Sequence, residues 1–292
     1  MKAAALVGVM DEVDLLPRCM EHLSRIGVGQ FVVRDGGSTD GSLQWLRARQ
    51  GEILRVEPVG PQEIADPAAC ARRDAELARS TGADWVIFLD ADEFWLPAGG
   101  VLLDGEQWRD EALHAINVPR FNVALGQEGP LMPQAPTPDT YADIWLHARA
   151  IAGFRRHLEE HPRTPWITGV PVAKVAVRPG KVHALDAGWH GARSVDGAAV
   201  ATRVARGLIA AHLPFDSFTR FRNKVDNIRA MLAAYPDTFA PNEAWHWRRW
   251  AGLETAQALE CEFDRQRMAD AELEALRAEG ALRSAAQLLR AS

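Results

Sequence analysis

At 292 residues, with 47% hydrophobic and 25% charged side chains, the chain has ordinary globular composition and length enough for one large α/β domain with an appendage. A net charge of -6 and a pI near 5.9, with Lys and Arg scattered rather than gathered in a stripe, argue against a nucleic-acid partner. Cys19, Cys70 and Cys261 lie far apart without a C-x-x-C pair, which excludes a zinc ribbon and fits a reducing, cytoplasmic setting.

The opening MKAAALVGVMDE sets a short apolar run against acids rather than against a small-residue cleavage site, which predicts a buried strand over 3–9 instead of a signal peptide. No stretch approaches the roughly 20 apolar residues of a membrane span, so only peripheral membrane contact is expected. Leu15, Leu16, Met20, Leu23 and Ile26 recur at helical spacing, Gly27 and Gly29 supply a stop, and 31–34 reads as the next strand. The loop Asp35-Gly36-Gly37-Ser38-Thr39-Asp40-Gly41 follows directly. A helix over 42–49, a strand over 53–56 and a helix over 67–80 lead to Trp85-Val86-Ile87-Phe88-Leu89. That apolar run bounded by Asp residues is the pattern of a central parallel strand, and the alternation predicts an α/β fold, a mainly parallel sheet flanked by helices. Asp90-Ala91-Asp92-Glu93 closes the run. Both acidic loops then fall at carboxyl ends of strands, where open α/β sheets bind ligands.

From about 114 to 215 the chain is richer in Pro and Gly, with strand patterns at 173–177, 182–185 and 208–211 that read as the other half of the same sheet. Pro130, Pro133, Pro136 and Pro138 punctuate an irregular segment, expected to be a lid or binding loop because long loops in compact domains are often functional. Asp216 or Ser217 caps a helix whose Phe218, Phe221, Val225, Ile228 and Leu232 share a face, and after Pro236 and Pro241 a second helical stretch runs to the end. Its Trp245, Trp247 and Trp250 are read as packing against the main body.

An Asp-x-Asp at a strand end suits a phosphorylated ligand, because one carboxylate reaches hydroxyls while the other takes a divalent cation, and the residue between points away. Acids at turns are common on their own. Their company gives this pair weight. Residues 32–42, Val-Val-Arg-Asp-Gly-Gly-Ser-Thr-Asp-Gly-Ser, followed by 84–94, Asp-Trp-Val-Ile-Phe-Leu-Asp-Ala-Asp-Glu-Phe, resemble the paired signatures of bacterial family-two-like GT-A glycosyltransferases. Ala71-Arg72-Arg73-Asp74-Ala75 looks like that family's Ala-Arg-Asn-x-Gly segment, and Met10-Asp11-Glu12 like its Asn-Glu start with Asp11 for Asn. Weaker likenesses follow at 172–180, at Gly188-Trp189-His190-Gly191, and from His212 through Phe221 and Lys224.

The resemblance implies a nucleotide-sugar donor, Mn2+ or Mg2+, an acceptor that is a glycan, lipid-linked or a small molecule, and a role in polysaccharide biosynthesis. By position it implies Asp35 for the nucleobase, Arg72, Asp90, Ala91 and Lys174 around the donor, and Asp92 with His190 for the metal. It also implies a GT-A-like domain over 1–215, with a nucleotide-sugar half at 1–113 and an acceptor half at 114–215, and a helical extension over 216–292. An inverting transfer needs a carboxylate base. Asp139, Asp143, Glu159 and Asp186 are its candidates by position, with Asp143 and Asp186 preferred. A competing pattern, His157-Leu158-Glu159-Glu160-His161, fits the H-x-x-E-H of inverted zinc peptidases, but Pro162 ends the helix that would present both imidazoles. A sugar nucleotidyltransferase would share the sheet and the metal, yet the acidic Met10-Asp11-Glu12 would repel a triphosphate.

Overall fold

A computed structural model describes residues 1–49, 55–194, 196–239 and 244–292. Its centre is a seven-stranded sheet. In chain order the strands are β1 (Ala3–Val9), β2 (Val28–Asp35), β3 (Arg55–Pro58), β4 (Trp85–Asp90), β6 (Ala115–Val118), β8 (Lys174–Val177) and β9 (Thr202–Val204). β3, β2, β1 and β4 are parallel neighbours, β8 runs antiparallel to both β4 and β6, and β9 runs parallel to β6. The predicted strand at 53–56 is realised from Arg55, its earlier residues lying outside the described ones.

Strands apolar on both faces need cover on both. On one face Ala3, Ala5, Val7, Trp85, Ile87 and Leu89 pack on Leu16, Cys19, Met20 and Leu23 of α1 (Leu16–Arg25). On the other, Ala4, Leu6, Val32, Val86 and Phe88 meet Leu77 and Ala78 of α4 (Pro67–Ser80), with α2 (Ser42–Arg47) and α3 (Pro61–Ala65) between them in sequence.

The middle of the chain differs from expectation. Leu208–His212, here β10, does not join the large sheet but forms a three-stranded one between β5 (Glu93–Pro97) and β7 (Arg120–Asn122). The Pro130–Pro138 stretch lies against α1, its Pro133 and Gln134 carbonyls accepting from Arg18. The last part is not one helical stretch. It holds α6 (Phe218–Ala234), α7 (Trp245–Ala251), α8 (Ala256–Gln266), α9 (Asp270–Ala278) and α10 (Ala285–Ala291), with short strands between α8 and α9 and between α9 and α10, and α5 (Phe154–Glu160) precedes them. Ser217 caps α6 by accepting from Arg220 N, and Phe221, Val225 and Ile228 anchor it in an aromatic core with Phe215, Trp250 and Phe263.

Candidate active site

A cavity of about 1450 Å³ opens at the carboxyl ends of β1, β2 and β4 and continues between α5, α6 and α7. Register places its floor. Gly8 pairs with Arg34 on one side and Asp90 on the other, so those side chains flank a position with none. A Cβ on Gly8 would lie 3.0 Å from both Asp90 Oδ1 and the Trp189 ring, so any larger residue here would push on both side chains. The small sheet builds the wall: His212 stands opposite Glu93 in β5 and Asn122 in β7. Arg220, Lys224 and Asn227, spaced along one stripe of α6, complete it by donating to Glu12, Asp92 and Asp11 respectively.

The acids of the Asp90–Glu93 turn are all paired with distant cations. Lys174 Nζ lies 2.8 Å from Asp90 Oδ2 and 3.6 Å from Glu93 Oε1, and Arg120 also pairs with Glu93. Glu93 Oε2 accepts from Asp90 N at 3.2 Å, bracing the turn from within. Asp92 Oδ2 meets Lys224 Nζ at 2.8 Å and Arg220 at 3.3 Å, while Oδ1 is buried without a hydrogen-bond partner. Burial opposes the Asp92 charge, but the Lys224 and Arg220 cations beside it outweigh burial and hold the carboxyl well below its ordinary range. Asp90 is half open to the cavity yet ringed by protein. There too the desolvation that would raise its pKa is overcome, chiefly by Lys174. Glu12 behaves oppositely: burial pushes it up to about 7 although Arg220 holds both its oxygens, at 2.7 to 3.0 Å.

The hydrogen-bond network fixes the tautomer of His212. Asn122 Nδ2 donates to the carbonyls of Ile167 and Gly169, at 3.0 and 2.8 Å, so its Oδ1 is the acceptor that faces His212 Nδ1 at 2.7 Å. Nδ1 therefore carries the proton, and the Nε2 lone pair points towards Asp92, 3.7 Å from its Oδ2. Burial keeps the ring neutral by lowering its pKa. A histidine whose Nδ1–H is held by a second group and whose Nε2 is free has the orientation of a metal ligand. Asp92, Glu93 and His212 are the one group of three potential ligands that converges among the described residues. With both Glu93 oxygens engaged, the free donors are Asp92 Oδ1 and His212 Nε2, an oxygen and an imidazole nitrogen that suit a divalent cation.

Of the residues implied by resemblance, Asp90, Asp92, Lys174 and His190 line the cavity. His190 is not in the Asp92 group. Its Nδ1 lies 2.9 Å from Ala173 O, and burial lowers its pKa to about 4. Asp35 is buried and spends its carboxylate on Gly37 N and Ser38 N, at 3.2 to 3.3 Å. Ala91 is buried and donates its N–H to Gly8 O. Arg72 is half exposed, 3.9 Å from Asp66, and Asp186 pairs with Arg193 at 2.9 Å; neither lines the cavity. Asp139 and Asp143 are exposed and equally remote from its lining, whereas Glu159 reaches the rim while paired with Arg155.

Glu12, Arg120, Asn122, His212 and Arg220 carry the site without having been singled out for it. Trp250 is buried in the aromatic core and the half-buried Trp247 packs against that core, as read from the sequence; Trp245 is half-buried, and all three line the cavity. The peptidase pattern assembles no centre. α5 ends at Glu160, the His157 and His161 rings lie 4.6 Å apart, and His157 Nε2 faces Thr164 Oγ1 at 3.3 Å.

No family model and no curated protein matches the chain. Among solved structures it is similar to S. aureus TarS, with a TM-score of 0.37 and 12% identity over 86% of this chain and 42% of that one. Residues 1-349 of TarS give a TM-score of 0.36 and 13% identity, over 84% and 74%. Glucosyl-3-phosphoglycerate synthase from Mycobacterium tuberculosis, in complex with Mn2+, UDP and phosphoglyceric acid, gives 0.38 and 17%, over 80% and 78%. The chain thus spans less than half of the full TarS chain. Likenesses this slight leave function to the geometry of the site.

Proposed function

We propose that the chain is a glycosyltransferase of the GT-A type, moving a sugar from a nucleotide-sugar donor to a glycan or lipid-linked acceptor with Mn2+ or Mg2+. One observation carries the reading. At the carboxyl end of β4, Asp92 keeps a buried, unpartnered Oδ1, and its Oδ2 lies 3.7 Å from His212 Nε2, at the edge of a cavity large enough for a nucleotide-sugar and a second ligand. Asp92 and His212 would hold the cation, which when bound neutralises charge growing on the leaving diphosphate.

The chain's own residues do the rest. Asp90, kept ionised and oriented by Lys174, is placed to accept hydrogen bonds from donor hydroxyls. Arg220 is fixed by Glu12 and adds positive charge beside the same turn. Trp245 and Trp247, which also line the cavity, offer apolar faces to a sugar ring of the acceptor. The peripheral, cytoplasmic setting expected from composition belongs to this proposal, and no described helix is long and apolar enough to cross a membrane.

A thermal-shift screen of nucleoside diphosphates with and without Mn2+ tests the reading, since a ligand bound only by the native state raises the melting temperature. One nucleotide should stabilise the protein, and more strongly with the metal. No shift with any nucleotide would remove the donor from the proposal.

A further inference from the structure

The centre carries no surplus of negative charge. Glu12, Asp90, Asp92 and Glu93 face Arg120, Lys174, Arg220 and Lys224, each acid within reach of at least one cation. A divalent cation added alone would leave two positive charges uncompensated in a largely desolvated place, whereas one added together with a diphosphate would not. The four protein cations also differ in freedom. Lys174, Arg220 and Arg120 keep 1%, 8% and 11% of their side chains exposed, and each is also tied to an acid other than Asp92. Lys224 is 29% exposed, lines the open cavity, and has Asp92 as its ion-pair partner, with one further bond to Pro214 O at 3.1 Å.

We infer that Lys224 is an exchangeable counter-ion: it occupies Asp92 while the site is free and releases it to the divalent cation when a nucleoside diphosphate enters, then pairs with the diphosphate. Lys224 has an aliphatic stem and a compact charge, so its ammonium can move within the cavity while α6 stays in place. Metal and nucleotide affinities are coupled as a result, because each removes what opposes the other. The inference rests on Asp92 as the cation's ligand.

Two substitutions and two titrations test it. Mn2+ binding is followed by paramagnetic resonance, first alone and then with the nucleoside diphosphate that gives the largest metal-dependent thermal shift. Lys224→Gln should bind Mn2+ alone about fivefold or more tightly than the parent, because the competing charge is gone. The same variant should bind the diphosphate in the presence of Mn2+ about tenfold more weakly, having lost a charge-assisted partner. Lys224→Arg should restore most of the second property. Opposite signs are the signature; a merely structural Lys224 would weaken both. If Mn2+ binds through Asp92 but Lys224→Gln leaves its affinity unchanged or lower, the exchange is overturned and the proposed function stands. If neither the parent nor the variant binds Mn2+ even with nucleotide, the metal reading falls, and this inference with it.

Discussion

Two acidic loops end the strands that flank β1 in one sheet, and they use their carboxylates in different ways. After β2, Asp35 caps Gly37 and Ser38, Asp40 accepts from Ser42 and from Val13, and Asp11 accepts from Thr39 and Asp40. Those acids are occupied in shaping backbone, much as an N-cap is. After β4, no acid serves mainly its own loop, apart from the Glu93 bond to Asp90 N. Asp90, Asp92 and Glu93 meet Lys174, Lys224, Arg220 and Arg120 instead, across separations of 27 to 132 residues. The first loop is a scaffold, and the second assembles charge from the whole chain beside a cavity. An acidic loop at a strand end is thus a weak functional signal until its partners are known.

The largest effect should come from Asp92→Asn. It removes the unpartnered carboxylate oxygen and the main acid facing Lys224, so metal-dependent turnover of the donor should fall about 10³-fold. Stability should change much less, by about 1 to 2 kcal/mol, because Lys224 is partly open to solvent and Arg220 keeps Glu12. Steady-state kinetics with a thermal melt of the same sample distinguishes the two. Normal metal-stimulated turnover in the Asn variant would put the second loop in the same scaffolding class as the first.

The same contrast explains how much could be read in advance. Strands β1, β2 and β4 and helices α1 and α4 follow from local period and punctuation, because each buries its own apolar face against its sequence neighbours. The Asp90–Asp92 turn was legible for the same reason, as the polar end of an apolar run. His212 was not, because its meaning depends on β10 pairing with β5 and β7 rather than joining the large sheet, a register that no local pattern records. Glu12 and Arg220 are 208 residues apart, and their ion pair exists only once α6 has docked. Arg72 shows the converse: its segment forms the expected helix, but its side chain faces outwards beside Asp66.

Asp35→Ala should have a smaller effect, of scaffold type. Removing a buried carboxylate that caps two backbone N–H groups costs about 1 to 2 kcal/mol, visible as a lower melting temperature. Asp35→Asn keeps an acceptor and should recover part of it. Affinity for the stabilising nucleotide should follow stability in both variants. A loss above tenfold at unchanged melting temperature would instead give Asp35 the base-binding role implied by resemblance.

Glu12 joins the two loops, and its titration gives the smallest and sharpest test. Its backbone N–H donates to Ser42 in the first loop, while its carboxylate pairs with Arg220 beside the second. Desolvation raises its pKa to about 7; Arg220 and Lys224 act against that rise and Asp92 adds to it. The sign follows from linkage. Between its ordinary value of 4.5 and about 7, the native state holds a proton that the unfolded chain has released. This group therefore favours folding at low pH and loses that advantage as pH rises through the window. From pH 6 to 8 the loss is about 1 kcal/mol. Asp92, whose carboxyl is depressed, changes charge only at lower pH, and the neutral His212 imidazole is common to both proteins compared. The difference in unfolding free energy between the parent and Glu12→Gln isolates the term, since glutamine cannot titrate. That difference should move by about 1 kcal/mol against the parent from pH 6 to 8. A flat difference would mean that the Arg220 pair keeps Glu12 ionised throughout, placing it with the fully charged acids of the second loop.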